Sequence, residues 1–115
     1  MQTIQLKKFG GVLVSRPAGL ESFNAIRPNL RPNEDIQIDF DDVLTVTPSW
    51  LDEFLSQLAN YIQADIRLLP TQNASVLVTL PVLGSARTDR IAGIIKRALK
   101  QMEDSKDIDG RNSYR

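Results

Sequence analysis

The sequence of 115 residues contains no cysteine and no histidine. Without thiols there are no disulfide staples, no thiolate metal sites and no cysteine nucleophile. The lack of histidine excludes more chemistry. Imidazole is the usual general base, the commonest metal ligand and the group that orients most serine nucleophiles. Conventional triads are ruled out, and only carboxylate, lysine or tyrosine chemistry survives, so a non-catalytic chain without cofactor or metal is expected. Long apolar runs are also missing. No window approaches the ~18 consecutive apolar residues of a membrane span, and Met1 to Lys8 lacks the apolar stretch of a leader peptide. The expectation is a cytoplasmic, unprocessed protein that does not engage membranes. Charge of one sign is not in surplus either: 14 basic and 14 acidic residues give a net charge of +0. No global field therefore favours nucleic acid, anionic lipid or an acidic substrate.

What is present suits one small domain, since the length is that of a single domain and 42% of the residues are hydrophobic. Ile4, Leu6 and Phe9 are spaced among polar residues and Gly10-Gly11 precedes Val12 to Val14, which predicts a short hairpin or bent strand. Ser15 stands at a helix N-cap with Pro17 in the first turn, and a helix from about Arg16 to Arg27 follows, stopped by Pro28 and Pro32. Its apolar side carries Leu20, Phe23 and Ile26, continued by Leu30.

Asp35 to Val43 reads as a strand, with Ile36, Ile38 and Phe40 on one face and Gln37 and Asp39 on the other. A parallel strand covered on both sides would be apolar throughout, so this alternation predicts a sheet with helices on one side only. Thr47 then caps a second helix that begins at Pro48. Trp50, Leu51, Phe54, Leu55, Leu58, Tyr61 and Ile62 form its apolar stripe. Ile66 to Leu69 reads as either a short strand or a helix end. Ser75 to Leu80 has strand propensity and ends at Pro81, and Gly84 to Asp89 reads as a connection. A third helix, Thr88 to Met102, carries Ile91, Ile95, Ala98 and Met102 on one stripe. The domain is expected to span residues 1–102, with a flexible polar tail at 103–115.

The run from Ile38 to Leu58, IDFDDVLTVTPSWLDEFLSQL, resembles the STAS-like family of uncharacterised bacterial domains (the DUF4325 type). The likeness rests on Asp39, Phe40 and Val43 at a strand end, on Thr47 and Ser49 in a hydroxyl-rich turn, on Trp50, and on Asp52 and Glu53 opening a helix. Leu13 to Arg16 is similar to the family's entry into its first helix, so the resemblance covers roughly residues 8 to 62. It implies an α/β fold with a sheet of about four strands and helices packed mainly on one face. For function it implies a regulatory module like the anti-sigma-factor antagonists, whose turn is phosphorylated by a partner kinase of the ATPase type. Aligned on Asp39, the phosphorylated position falls on Pro48, which has no hydroxyl. Thr47 and Ser49 flank it, so the phosphoswitch is lost or displaced onto one of them.

Each candidate has a plainer reading. Thr47 and Ser49 suit helix capping, and Trp50 and Phe54 suit the core. Asp39, Asp41 and Asp42 could be imagined around a magnesium ion, but strand alternation places Asp42 opposite the other two. On the last helix Arg90, Lys96, Arg97 and Lys100 form a basic face without the interleaved aromatics that nucleic-acid stacking uses. The expectation is a module that docks onto another protein, with Asp39, Asp42, Thr47, Ser49, Trp50 and Glu53 as contact residues. Its alternative is a small anion- or nucleotide-sensing domain that uses helix N-termini near Thr47 or between Gly84 and Thr88.

Overall fold

Alternation over Ile36 to Phe40 does produce a strand, and that strand is the centre of the main sheet. The computed structural model describes the backbone of residues 1–113 and the side chains of residues 1–104. In chain order the elements are β1 (Gln2–Gln5), β2 (Val12–Leu13), α1 (Arg16–Ile26), β3 (Ile36–Asp39), β4 (Thr45–Val46), α2 (Pro48–Tyr61), β5 (Ile66–Leu68), α3 (Ala74–Ala86) and α4 (Arg90–Ser113). β1, β3 and β5 make a parallel sheet in the order β1-β3-β5, with Ile36 between Gln2 and Ile66. β2 and β4 make a separate parallel pair, with Val12 opposite Thr45 and Leu13 opposite Val46. The expected single sheet of about four strands is thus replaced by sheets of three and two.

One face of the larger sheet is dry. Ile4, Ile36, Ile38, Ile66 and Leu68 are buried there, whereas Thr3, Gln5 and Arg67 on the other face are exposed and Gln37 and Asp39 half-buried. The covering of one side read from the alternation is therefore present, although every strand pair is parallel.

The helices pack on the dry side. In α2, Trp50, Leu51, Phe54, Leu55 and Leu58 are all buried, as the stripe predicts. Alpha-one lies so close to α2 that a Cβ on Gly19 would stand 2.5 Å from the Trp50 carbonyl oxygen. This contact buries Gly19 and turns Leu20, expected on the apolar side, outward to 38% exposure. Ser15 and Thr47 cap α1 and α2 as predicted, accepting from the N–H groups of Ala18 (3.3 Å) and Trp50 (3.4 Å).

Several expectations from the sequence are corrected. No hairpin joins Ile4 to Val14: a 3-10 turn at Leu6–Phe9 and Gly10 at φ 112° redirect the chain, so that β1 and β2 enter different sheets. The strand expected over Asp35 to Val43 ends at Asp39, and Phe40 and Val43 are buried in the bend that leads to β4. Ile66 to Leu68 resolves as strand. The largest change is Ser75 to Leu80, which lies inside helix α3. As a helix it sends Val76, Leu80 and Leu83 into the core and aims Ser75 and Thr79 together at β4. As a strand it would hold Ser75 and Thr79 about 13 Å apart, too far for both to reach the one Val46 carbonyl. Pro81, expected as a terminator, sits within α3 on its exposed side, where water can reach the carbonyl group it leaves unpaired. Gly84 to Ala86 belongs to the same helix, and the link to α4 is only Arg87 to Asp89. Alpha-four continues past Met102 to Ser113, overlapping the stretch expected as a flexible tail; side chains from 105 onward and residues 114–115 lie outside the described residues.

Candidate functional site

Residues 39 to 53 form a continuous strand–bend–strand–helix path at one end of the molecule. Asp39, at the end of β3, accepts the Asp41 N–H at 2.9 Å and so closes a tight turn on itself. Asp42 follows at φ 66°, a left-handed conformation that Asp tolerates, and its carboxylate pairs with Lys7 at 3.3 Å. Leu44 and Thr45 then donate their N–H groups to the Gly11 carbonyl, at 2.8 and 3.0 Å, and Thr47 donates to Leu13 at 3.0 Å. These bonds seat β4 against β2 and deliver Thr47 to the start of α2.

The first turn of α2 divides its residues between surface and core. Pro48 and Ser49 are exposed, whereas Trp50 is 1% exposed. The Trp50 ring stacks on Phe54 with centroids 4.9 Å apart and lies 6.2 Å from Phe9. Trp50 therefore anchors the helix start from inside and offers no ring face to a partner. Thr47 spends its hydroxyl oxygen on capping, as its plainer reading held. Of the expected contact residues, Asp42 and Ser49 are exposed, Asp39, Thr47 and Glu53 are half-buried, and Trp50 faces the core.

Behind this surface lies an ion cluster that sequence reading did not find. Asp52 accepts from Arg16 at 2.8 Å and from Arg87 at 2.5 Å; Arg87 also binds Asp89 and the Ser56 hydroxyl, and Arg16 lies 3.6 Å from Glu53. Burial pushes the Asp52 carboxyl upward, but the hydrogen bonds from Arg16 and Arg87 outweigh it and hold the group below its ordinary range. Bonds to Asp89 and Asp52 raise the Arg87 guanidinium despite its partial burial. The cluster ties the start of α1, the first turns of α2 and the α3–α4 link together, so the Ser49 surface stands on a rigid mount. Arg16 and Arg87 each lie more than thirty positions from Asp52 in sequence, and Asp52 alone reads as a helix-dipole residue. No local pattern announces such a cluster.

Three helix N-termini carry a side-chain cap. Asn73 caps α3 through the Val76 N–H at 3.0 Å, and Asp89 precedes α4 with its carboxyl held below its ordinary range chiefly by the Arg87 hydrogen bond. Ser15 and Thr47 cap α1 and α2, so each of these caps takes one of the N–H groups that anion sensing would use. Among the described residues no group of three or more His, Cys, Asp or Glu could hold a metal ion. A shallow cleft of about 270 Å³ lies away from this region, beside β1, between Thr3, Lys8, Asn29 and Arg31.

Residues 23–75 match the family model of the STAS-like domain of unknown function, DUF4325. The STAS-like match runs from Phe23 in α1 to Ser75 at the start of α3, and so contains the whole path from β3 through β4 to α2. No curated protein and no solved structure matches the chain. Among the described residues no helix is long and apolar enough to cross a membrane.

Proposed function

We propose that this chain is a non-catalytic regulatory module that docks onto another protein through the start of α2 and the bend before it. Asp42, Ser49 and Glu53 supply the polar contacts, and Thr47 shapes the turn. The observation that carries this reading is the pairing of an exposed Ser49 with a buried Trp50 in one helical turn. A hydroxyl is presented at the positive end of a helix whose neighbouring aromatic locks it in place. Pro48 stands where the related antagonists carry their modified hydroxyl, so the switch is displaced to Ser49 or lost.

An ATPase-type kinase is the partner this reading favours. A phosphate on Ser49 would sit beside the α2 N-terminus, where the dipole favours negative charge, with Arg16 on the same side of the molecule. The test is to incubate the full chain with ATP and an ATPase-type kinase encoded near it, then measure intact mass. A gain of one phosphate that disappears in Ser49→Ala supports the displaced switch, and an unchanged mass removes that version. Pull-down with wild type against Glu53→Lys then addresses docking itself. Equal recovery of the partner by both proteins would move the contact surface elsewhere.

A further inference from the structure

The layer built from β2, β4 and α3 is drawn from three stretches without a charged residue: Phe9 to Ser15, Val43 to Leu51 and Leu68 to Ala86. The chain as a whole is 24% charged, and these three uncharged stretches meet in one layer. Beta-four lies in the middle of this layer. One edge pairs with β2, and at the other the Ser75 hydroxyl accepts from the Val46 N–H (2.9 Å) and donates to the Val46 carbonyl (3.0 Å), which Thr79 also reaches (3.1 Å).

This arrangement defines an outward face. Leu13 and Val46 are buried, so their neighbours Val12 and Thr45, paired across the two strands, turn the other way. On α3, Ser75 and Thr79 face β4 while Val76, Leu80 and Leu83 face the core. At about 100° per residue Val78 and Val82 then fall on the remaining side, next to Ser75 and Thr79 and pointing out. Val12 is 60% exposed, Val78 69% and Val82 52%; Leu44, which lies against Gly11 at the end of the face, is 72% exposed. Together with Val14 these side chains leave roughly 450 Å² of apolar surface open, the size of the largest patch on a typical monomer, which is often functional. Thr45, Pro81 and Ser85, also exposed, extend it toward the ~800 Å² per partner of a standard interface.

The absence of charge selects the occupant. A partner that brought a charged group against this face would bury it with nothing to pair it. A second copy brings a face that is equally apolar and neutral, and a two-fold axis near Val78 and Val82 sets like against like, the commonest symmetry of soluble oligomers. We infer that two copies of this chain associate through the β2–β4–α3 face. The inference does not depend on the Ser49 reading, whose readout is a phosphate mass or a captured partner.

Sedimentation velocity of the full chain across a wide dilution series tests it. The expected result is a dimer that dissociates on dilution. Val78→Glu on α3 and Leu44→Glu on the β4 side should each weaken association by roughly 100-fold, with far-ultraviolet circular dichroism unchanged. Because the two sites lie on different elements, the second carries the test if the first variant fails to fold. A monomer at the highest concentration overturns the inference, as does a dimer whose dissociation constant neither substitution alters. A monomer that instead floats with phosphatidylcholine–phosphatidylglycerol vesicles through this face would assign it to a lipid surface and equally overturn the dimer.

Discussion

At the outer edge of β5 the carbonyl groups are held by arginines, whereas at the outer edge of β4 they are held by hydroxyls. Arg97 donates to the Ile66 carbonyl and to Asp65, and Arg90 reaches the carbonyls of Ala59, Ile62 and Ala64 where α2 ends. At β4, Ser75 and Thr79 bind the Val46 backbone and the Asn73 amide donates to the Val43 carbonyl. Both devices satisfy backbone groups that a further strand would otherwise pair. They differ in what they respond to. Long, partly exposed arginines are weakened by salt and their carboxylate partners by acid, while short hydroxyls in a half-buried site respond to neither.

Four experiments break or sharpen that contrast. The largest effect is expected where the two regions join. Trp50 packs between Phe9, which leads into β2, and Phe54 in the core of α2. Trp50→Ala should cost about 3–5 kcal/mol in urea unfolding, because it removes a fully buried ring from both regions at once. Next comes the neutral edge. Ser75→Ala leaves the Val46 N–H without its acceptor and should cost about 2 kcal/mol, equally at low and at high salt. A cost that shrinks with added salt would contradict the assignment of that edge to neutral groups.

The charged edge should behave in the opposite way. Arg97→Gln is expected to cost about 1 kcal/mol at low ionic strength and less as salt rises. The smallest and most diagnostic effect is in acid. Asp52 and Asp65 lie below their ordinary range, and the bond from Arg31 holds Glu34 down to about 2. Groups lowered in the folded state contribute stability in full above the unfolded value of about 4 and lose it as pH falls toward the folded value. The thermal midpoint should therefore drop as pH goes from about 5 to about 2. Arg87→Gln should flatten that drop and Ser75→Ala should not.

How much of this was legible depends on the distance over which each feature is determined. The α2 stripe, the caps at Ser15 and Thr47 and the one-sided alternation of β3 are local patterns, and the structure contains them. Ser75 to Leu80 was misread because valines and threonine favour strands locally. What decides its conformation is a pair of hydroxyls one helical turn apart that close the edge of β4, some thirty residues upstream. The ion cluster around Asp52 was invisible for the same reason, since nothing near Asp52 in sequence names Arg16 or Arg87 as its partners. Within the candidate site, exposed Ser49 and capping Thr47 could be read from their places in the helix. That Trp50 turns fully inward required Phe9, which reaches it from before β2.

Composition alone determined that no imidazole or thiol chemistry can operate here, and periodicity alone determined which faces of α2 and β3 are dry. Both follow from residue identity and from the fixed periods of helix and strand. Only the tertiary structure decided that three neutral stretches meet in one layer, that α3 is a helix, and that two arginines converge on Asp52. Those outcomes depend on which distant segments become neighbours, and that is settled when the whole core packs rather than by any local stretch of chain.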